Sequence, residues 1–343
     1  MRLLAIAVAA TLVIGACGGG APPAPAAGSP APASPTGTPT LAPAKLSVVY
    51  GNITPANLAP LIAVEAGIFK KNGLDVDLQL IEGGAKSMAA LLSGQIQIAH
   101  LGGTEVMSAY VGGADVVSVS VNSPYSSWVF MVPSGYKSPA DLKGKPIGIV
   151  TKGGSSETAV LKALERLGLD HKDVTIVAIG SVPNLATAMI SGAVYAGPAH
   201  PPETVLLESK GFRTIVDLAK EHVPVADNTT TTTRKFLDAN RTVVQRYVDS
   251  IIEAIARAKK DKPFAMDVLK KYKIVPDDPA QLSATYDFYV GTIFVDYPHP
   301  RAEFFLASKA ELVKTNPRVA DLDVTKVIDE SFVRSAEDRK VGR

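Results

Sequence analysis

Two α/β lobes, each a mostly parallel sheet covered by helices, are the architecture this sequence predicts. Three observations carry it. Short β-branched segments alternate with helical ones, glycine loops join them, and the same alternation begins again after Pro133. Alternation of this kind yields parallel strands with helices packed on both faces of the sheet.

Residues 45–50 (KLSVVY) form the first strand, and Gly51, Asn52, Thr54 and Pro55 make a loop of turn formers after it. A helix is expected over residues 57–71, with Leu58, Leu61, Ile62 and Glu65 at helical spacing. Asn72 and Gly73 end it, because both tolerate left-handed backbone. Residues 74–81 (LDVDLQLI) alternate strictly and predict a strand with one wetter face. Gly83-Gly84 leads to a helix over 87–92, residues 96–101 are a third strand, Gly102-Gly103-Thr104 opens another helix, and 116–121 is a fourth strand.

Beyond Pro133 come a strand at 146–150, a loop at Gly153-Gly154-Ser155, and a helix at 156–167 that Gly168 closes. A strand at 174–179, a helix through Ile190 and a short extended stretch at 194–196 follow. AALLSGQIQIAH (89–100) and TAMISGAVYA (187–196) echo each other, each a helix closed by Ser-Gly and followed at once by a strand. Two related lobes or convergence on a common turn explain the echo equally well. The threonine run 228–233 is β-prone and reads as a return crossover into the first lobe. From Arg234 onward helical patterns dominate and are expected to pack on that lobe.

The amino terminus carries a different signal. Arg2 is the only charge before an apolar and small-residue run at 3–16, too short for a mature membrane helix but suited to a secretory signal over 1–16. The run stops at Ile14-Gly15-Ala16-Cys17, which looks like a lipobox, so Cys17 is the expected lipidation site. It is the sole cysteine, and no intramolecular disulfide can form. Residues 18–44 hold no charge and little but Gly, Ala, Pro, Ser and Thr. Such a segment cannot bury enough apolar surface to offset its ordering entropy, so 17–44 is expected to be a flexible tether reaching roughly 80 Å when extended. From Lys45 roughly 300 residues remain, enough for two domains of ordinary size. The formal charge of +2 contains no basic block, which gives a nucleic-acid partner no support.

LAPLIAVEAGIFKKNGLDV (58–76), ALLSGQIQIA (90–99) and SPADLKGKPIG (138–148) together resemble the sulfonate/nitrate/taurine-type solute-binding proteins, a family that includes thiamine-precursor binders. The likeness runs from Leu46 to about Ile255 and fades in the C-terminal helices. It implies a type II periplasmic-binding fold, two lobes hinged by two crossover strands near 130–134 and 225–233, with a ligand in the cleft between them. The lobes would then be 45–133 plus 226–343, and 134–225. The resemblance also implies an ABC permease as partner, a cell-membrane location on the extracytoplasmic side, and a small anion of the sulfonate, taurine or nitrate kind. A heteroaromatic such as a thiamine pyrimidine or a flavin is the alternative ligand. VYAGPAHPPE (194–203) departs from the acidic and tryptophan-aspartate-proline element often found there, so ligand identity does not transfer.

Binding sites in open α/β sheets lie beyond the carboxyl ends of the strands, where helix N-termini present unpaired N–H groups and partial positive charge. Four loops have that form: 52–57, 83–87, 102–105 and 153–156. They supply Asn52, Thr54, Gly84, Thr104, Ser155 and Ser156 as candidate ligand contacts, with Lys86 and Lys152 flanking them. Surface solvation is the commoner role for both lysines. Tyr125 with Trp128 could form an aromatic wall, although the sole tryptophan suits core packing equally, and His200 lies in the proline-rich loop that faces the cleft in the family arrangement. Glu105 and Glu203 fall in first helical turns, where the dipole favours acids whatever the function; a ligand role for them would call for an ammonium group.

Capture without chemistry is the expected activity. His100, His171, His200, His222 and His299 show no metal-ligand spacing, and GxSxG and GxxxxGK[ST] are absent. No catalytic residue, metal or cofactor is expected. A surface lipoprotein that binds protein partners is the third possibility, and ligand-induced stabilisation separates it from a receptor.

Overall fold

Ten strands and thirteen α-helices alternate along residues 43–343, the part of the chain that the computed structural model describes. The expected signal segment, Cys17 and the tether up to residue 42 lie outside the described residues. The strands are β1 (Ala44–Tyr50), β2 (Leu74–Leu80), β3 (Ile98–Leu101), β4 (Val116–Tyr125), β5 (Val129–Pro133), β6 (Pro146–Ile149), β7 (Thr175–Ala178), β8 (Gly197–Ala199), β9 (Phe212–Asp217) and β10 (Pro224–Thr233). Helices α1 (Leu58–Glu65), α2 (Ile68–Lys71), α3 (Gly84–Leu92) and α4 (Gly103–Val111) connect the early strands, and α5 (Ser155–Arg166), α6 (Val182–Ser191) and α7 (Glu203–Ser209) connect the later ones. The C-terminal part holds α8 (Arg234–Ala239), α9 (Arg241–Lys260), α10 (Lys262–Lys271), α11 (Pro279–Phe288), α12 (Ala302–Leu312) and α13 (Ser331–Asp338).

The first lobe carries a five-stranded sheet of order β2-β1-β3-β10-β4, in which β1 is parallel to β2 and β3 while β10 runs against β3 and β4. In the second lobe β5 runs antiparallel between β8 and β9, and β6 pairs in parallel with β7. A parallel bridge from Ile147 to Ala196, with Tyr195 N–H donating to Pro146 O at 2.8 Å, joins these two pieces. The resulting order, β7-β6-β8-β5-β9, repeats that of the first lobe position by position. In each sheet the fourth strand is the one that arrives from the other lobe.

Both sheets are covered on both faces. In the first, one face packs on α1, α9, α10 and α11 around Leu61, Ile98, Tyr247 and Leu269, and the other on α3, α4 and α12 around Leu91, Met107 and Phe305. In the second, Phe130 and Val132 of β5 face a core with Val160 and Leu164 of α5. Val129 and Met131 face the opposite core with Leu185 and Met189 of α6. Alternation within β5 therefore feeds two apolar cores at once.

Three expectations are corrected. The single helix at 57–71 is broken at Gly67, whose φ of 66° ends α1 and lets α2 start at Ile68. The left-handed turn is open to glycine without steric cost. The first crossover does not lie at 130–134: the chain leaves the first sheet after Tyr125 and enters the second at Val129, so 130–133 is already paired there. The return passes between β9 and β10, and 225–233 belongs to the first sheet.

The threonine run forms most of β10. Thr229, Thr230, Thr231 and Thr232 are fully buried at the centre of the sheet, and every hydroxyl is hydrogen-bonded. Thr229 donates to Leu101 O (3.0 Å) and Thr232 to Gln97 O (2.7 Å), while Thr231 pairs with Ser118 (2.9 Å) and Thr230 accepts from Ser120 (2.8 Å).

Candidate functional site

The two lobes meet where β10 and the loop from β4 to β5 cross between them. His200 of the second lobe stands edge-on to Tyr289, which follows α11, at 6.0 Å between ring centroids. Lys162 on α5 pairs with Glu311 on α12 at 3.6 Å. Behind Trp128 a cavity of about 10 Å³, room for about one water, is lined from both sides by Ser155, Thr158, Lys162, Asp227 and Ala307 among others.

Three carboxyl groups converge here. Glu105, in the first turn of α4, lies inward against the glycine loops: a Cβ at Gly84 would stand 2.6 Å from its Oε1, and one at Gly102 would stand 2.5 Å from its Oε2. Its one side-chain donor is the Thr104 hydroxyl at 2.8 Å. Burial raises its pKa, partly offset by that hydroxyl. Asp227, near the start of β10, is pushed up to about 6 by burial first and by the charge of Glu105 second; Ser127 and Ser155 hydroxyls partly restore the ionised form. Glu203 opens α7 with its Oε2 buried and unbonded, 3.8 Å from His200 Nδ1, and burial raises its pKa as well.

Unpartnered polar atoms surround these acids. Trp128 is 6% exposed and its Nε1–H has no acceptor, although its ring lies 4.8 Å from that of His200. Tyr289 is 1% exposed, and its hydroxyl lies close enough to Ser127 and Thr54 for both to lower its pKa, but in a geometry that completes no hydrogen bond with either. Burial raises its pKa too, and Asp227 and Glu203 add to the shift. His200 Nδ1 is engaged with Pro201 O at 3.0 Å, which leaves Nε2 as the ring's other polar atom. Buried donors and acceptors are almost always satisfied in folded proteins, so several unsatisfied ones around one point mark a place completed by something else.

Beneath this point the first lobe holds a polar network. Asn228 donates to Asn57 Oδ1 (2.9 Å), Asn57 donates to Asn52 O and Oδ1 (2.9 Å each), and Asn122 donates to Asn228 Oδ1 (3.2 Å). Asn122 Nδ2 also approaches His100 Nδ1 at 3.3 Å, and His100 Nε2 meets the Tyr247 hydroxyl at 2.8 Å. Burial lowers the His100 pKa to about 4, against a weaker opposing bond from Asn228, so the ring is neutral near pH 7.

The expected contacts divide accordingly. Thr54, Thr104, Gly84, Trp128, Ser155 and His200 are brought to the junction. Asn52 is exposed, and it touches the junction only through Asn57. Ser156 is buried with its hydroxyl accepting from Val150 N–H at 2.9 Å, which closes the loop rather than lining the cleft. Lys86 and Lys152 are exposed. Tyr125 does not form a wall with Trp128: its ring packs on His222 (4.8 Å) and Phe304 (6.1 Å), and the ring partner of Trp128 is His200.

The sequence profile of the NMT1/THI5-like family matches residues 55–263, more than half of the chain. The chain belongs to that family. A Brucella abortus protein whose name specifies binding but no solute is 29% identical to this NMT1/THI5-like chain over 163 residues, 48% of the chain and 46% of the relative. The match thus spans about half the length of that relative. The riboflavin-binding protein RibY of Chloroflexus aurantiacus is 27% identical over 273 residues, 78% of this chain and 77% of its own. Among solved structures, the periplasmic aliphatic sulphonate binding protein SsuA of Escherichia coli superposes with a TM-score of 0.69 at 21% identity, covering 85% of this chain and 100% of that one. That likeness establishes the two-lobed periplasmic-binding fold for this NMT1/THI5-like member.

Sequence reasoning missed Asp227 and Tyr289 and took Glu105 and Glu203 for ordinary first-turn acids. Tyr289 opens a π-helical turn (Tyr289–Ile293) that no residue pattern announces, though such turns are frequent at functional sites. For Asp227 a signal existed: it is the one charge immediately ahead of an otherwise uncharged β run.

Proposed function

We propose that this chain is the solute-binding component of an ABC importer, held outside the membrane by Cys17 and its tether, and that it captures its solute between the lobes without altering it. The lobes would comprise residues 45–125 with 224–343, and residues 126–223. The convergence of unbonded Trp128 Nε1, Tyr289 OH and Glu203 Oε2 at the lobe junction carries this reading. Lobe closure over a ligand would satisfy all three, and the closed form is what a permease would recognise.

The junction favours an aromatic nitrogen heterocycle. Trp128, His200 and Tyr289 offer ring surfaces, and the acids accept N–H donors. The riboflavin named for RibY is one molecule of that class. A sulfonate-type anion is the second reading, supported by the glycine loops that open α3, α4 and α5. It is opposed by Glu105, whose carboxyl lies against two of those loops.

A thermal-shift series on the mature protein tests the choice. Riboflavin, substituted pyridines and pyrimidines are compared with alkanesulfonates, taurine and nitrate. A bound heterocycle at 100 times its Kd should add about 2.7 kcal/mol of stability. Stabilisation by the anions alone reverses the ligand choice, and none by any solute removes the receptor reading. Replacement of Cys17 by Ala should move the protein from the membrane to the soluble fraction; retention would remove the anchor.

A further inference from the structure

We propose that the solute carries a protonated nitrogen, and that Glu105 and Asp227 together hold that cation at the lobe junction. This rests on the receptor reading above but is narrower, since a receptor for a neutral heterocycle would satisfy the one and not the other.

The argument starts from charge. Glu105 enters from α4, Asp227 from β10 and Glu203 from α7, so three elements of two lobes each deliver a carboxyl to one region. Their side-chain partners are hydroxyls and one imidazole: Thr104 for Glu105, Ser127 and Ser155 for Asp227, and His200 for Glu203 at 3.8 Å. Lys162 lines the small cavity beside Asp227, but its ammonium is engaged by Glu311 at 3.6 Å. Burial raises the pKa of all three acids, and for Asp227 the charge of Glu105 adds to it, so keeping these carboxyls ionised where they lie carries a cost. A cation inserted among them removes it. The 1%-exposed Tyr289 hydroxyl, which feels both Asp227 and Glu203, and the 6%-exposed Trp128 Nε1–H supply the independent sign that something belongs there. Both can act as donors to an acceptor on the same solute, while the acids take its N–H groups. An oxyanion would instead face three carboxyl groups.

Proton linkage gives the proposal a second face. The titratable and charged groups that bear on Asp227 are Glu105 from α4 and Tyr289 beyond α11, with Lys162 of α5 lining the cavity beside it. With Asp227 titrating near pH 6 in the unliganded protein, a cation must displace its proton at lower pH. Affinity for a cation should then fall about tenfold per pH unit once Asp227 is protonated.

The test uses three pyridines of matched shape on the full mature chain: 4-(aminomethyl)pyridine, 4-(hydroxymethyl)pyridine and pyridine-4-sulfonate, with riboflavin as a neutral reference. Calorimetry at pH 7.5 should show the amine binding at least tenfold more tightly than the alcohol, and no binding of the sulfonate. Asp227→Asn and Glu105→Gln should each lower amine affinity tenfold or more and lower alcohol affinity by a much smaller factor. Amine affinity should drop between pH 7 and pH 5 while alcohol affinity stays flat. Equal binding of amine and alcohol, binding of riboflavin with none of the amine, or amine affinity indifferent to both substitutions would overturn the cation and leave the receptor standing. Silence of all four compounds would overturn the cation, and the receptor would then stand or fall on the wider thermal-shift series.

Discussion

The two lobes share a strand order and differ in what lies beneath the junction. Under the first runs a chain of buried amides, hydroxyls and an imidazole from Asn57 through Asn228, Asn122 and His100 to Tyr247. Under the second are Phe130, Val132, Leu164 and Val216, with no comparable network among the described residues. Hydrogen bonds fix orientation, whereas apolar contacts are indifferent to small rotations. The first lobe is thus built to hold Asn57 and Asn228, the neighbour of Asp227, in fixed directions, and the second to present Trp128 and His200 on a packed but less directional base.

The sharpest way to break that contrast is in the apolar lobe. Phe130→Ala should cost about 3–5 kcal/mol, and hydrogen exchange should rise across β5 to β9 before it rises in β1 to β3. Simultaneous loosening of both sheets would show that the lobes do not differ in this way. In the polar lobe, Asn228→Ala takes the donor from Asn57 Oδ1 and one of three partners from Asn122 Nδ2, and should cost about 1–3 kcal/mol by denaturant unfolding. A cost near zero would mean that the network gives direction without stability.

Titration adds a contrast within the first lobe, because His100 on β3 and Asp227 on β10 are shifted in ways that oppose each other. The His100 pKa is depressed, so the unfolded chain binds more protons between about pH 4 and 6.5, and stability is lost as pH falls through that window. The Asp227 pKa is raised, so the folded chain binds more protons between about pH 4 and 6, and stability is lost as pH rises there. Asp227→Asn should accordingly stabilise the unliganded protein at pH 7.5 by about 1–2 kcal/mol, little at pH 4, and steepen its acid sensitivity. A melting-temperature profile from pH 4 to 8 reads all three. The smallest effect is expected at the ion pair between the lobes: Lys162→Met should change stability by less than about 1 kcal/mol. It should still widen the unliganded molecule in small-angle scattering, and an unchanged radius of gyration would place the lobe contact elsewhere.

Much of this was written in the chain in a form that local rules can read. The Ser-Gly echo is the plainest case. Gly94 and Gly192 adopt φ of 80° and 78°, and Ile96 and Val194 N–H groups each reach back to the alanine six residues earlier at 3.2 Å. The two stretches occupy the same place in the two sheets, leading from α3 into β3 and from α6 toward β8. Helix ends, edge-strand alternation and glycine loops depend on neighbours in sequence, and so they were legible. What escaped depends on partners far along the chain. Tyr125 and Trp128 look like one aromatic pair until Phe304 and His200, from different lobes, claim them separately. Likewise, an acid in a first helical turn looks the same whether its carboxyl lies toward solvent or, as Glu105 does, against the glycines of a neighbouring loop.

One feature of the first sheet reaches into synthesis. Strand β4 finds its ladder in β10, and about a hundred residues, the whole of the second lobe, are made between the two. Until β10 leaves the ribosome, Val116–Tyr125 has an open edge on the side where its neighbour will lie. The second lobe can complete its own sheet from β5 to β9 while the first still waits. Maturation should therefore run from the middle of the polypeptide outward, with the earliest-born sheet the last to close.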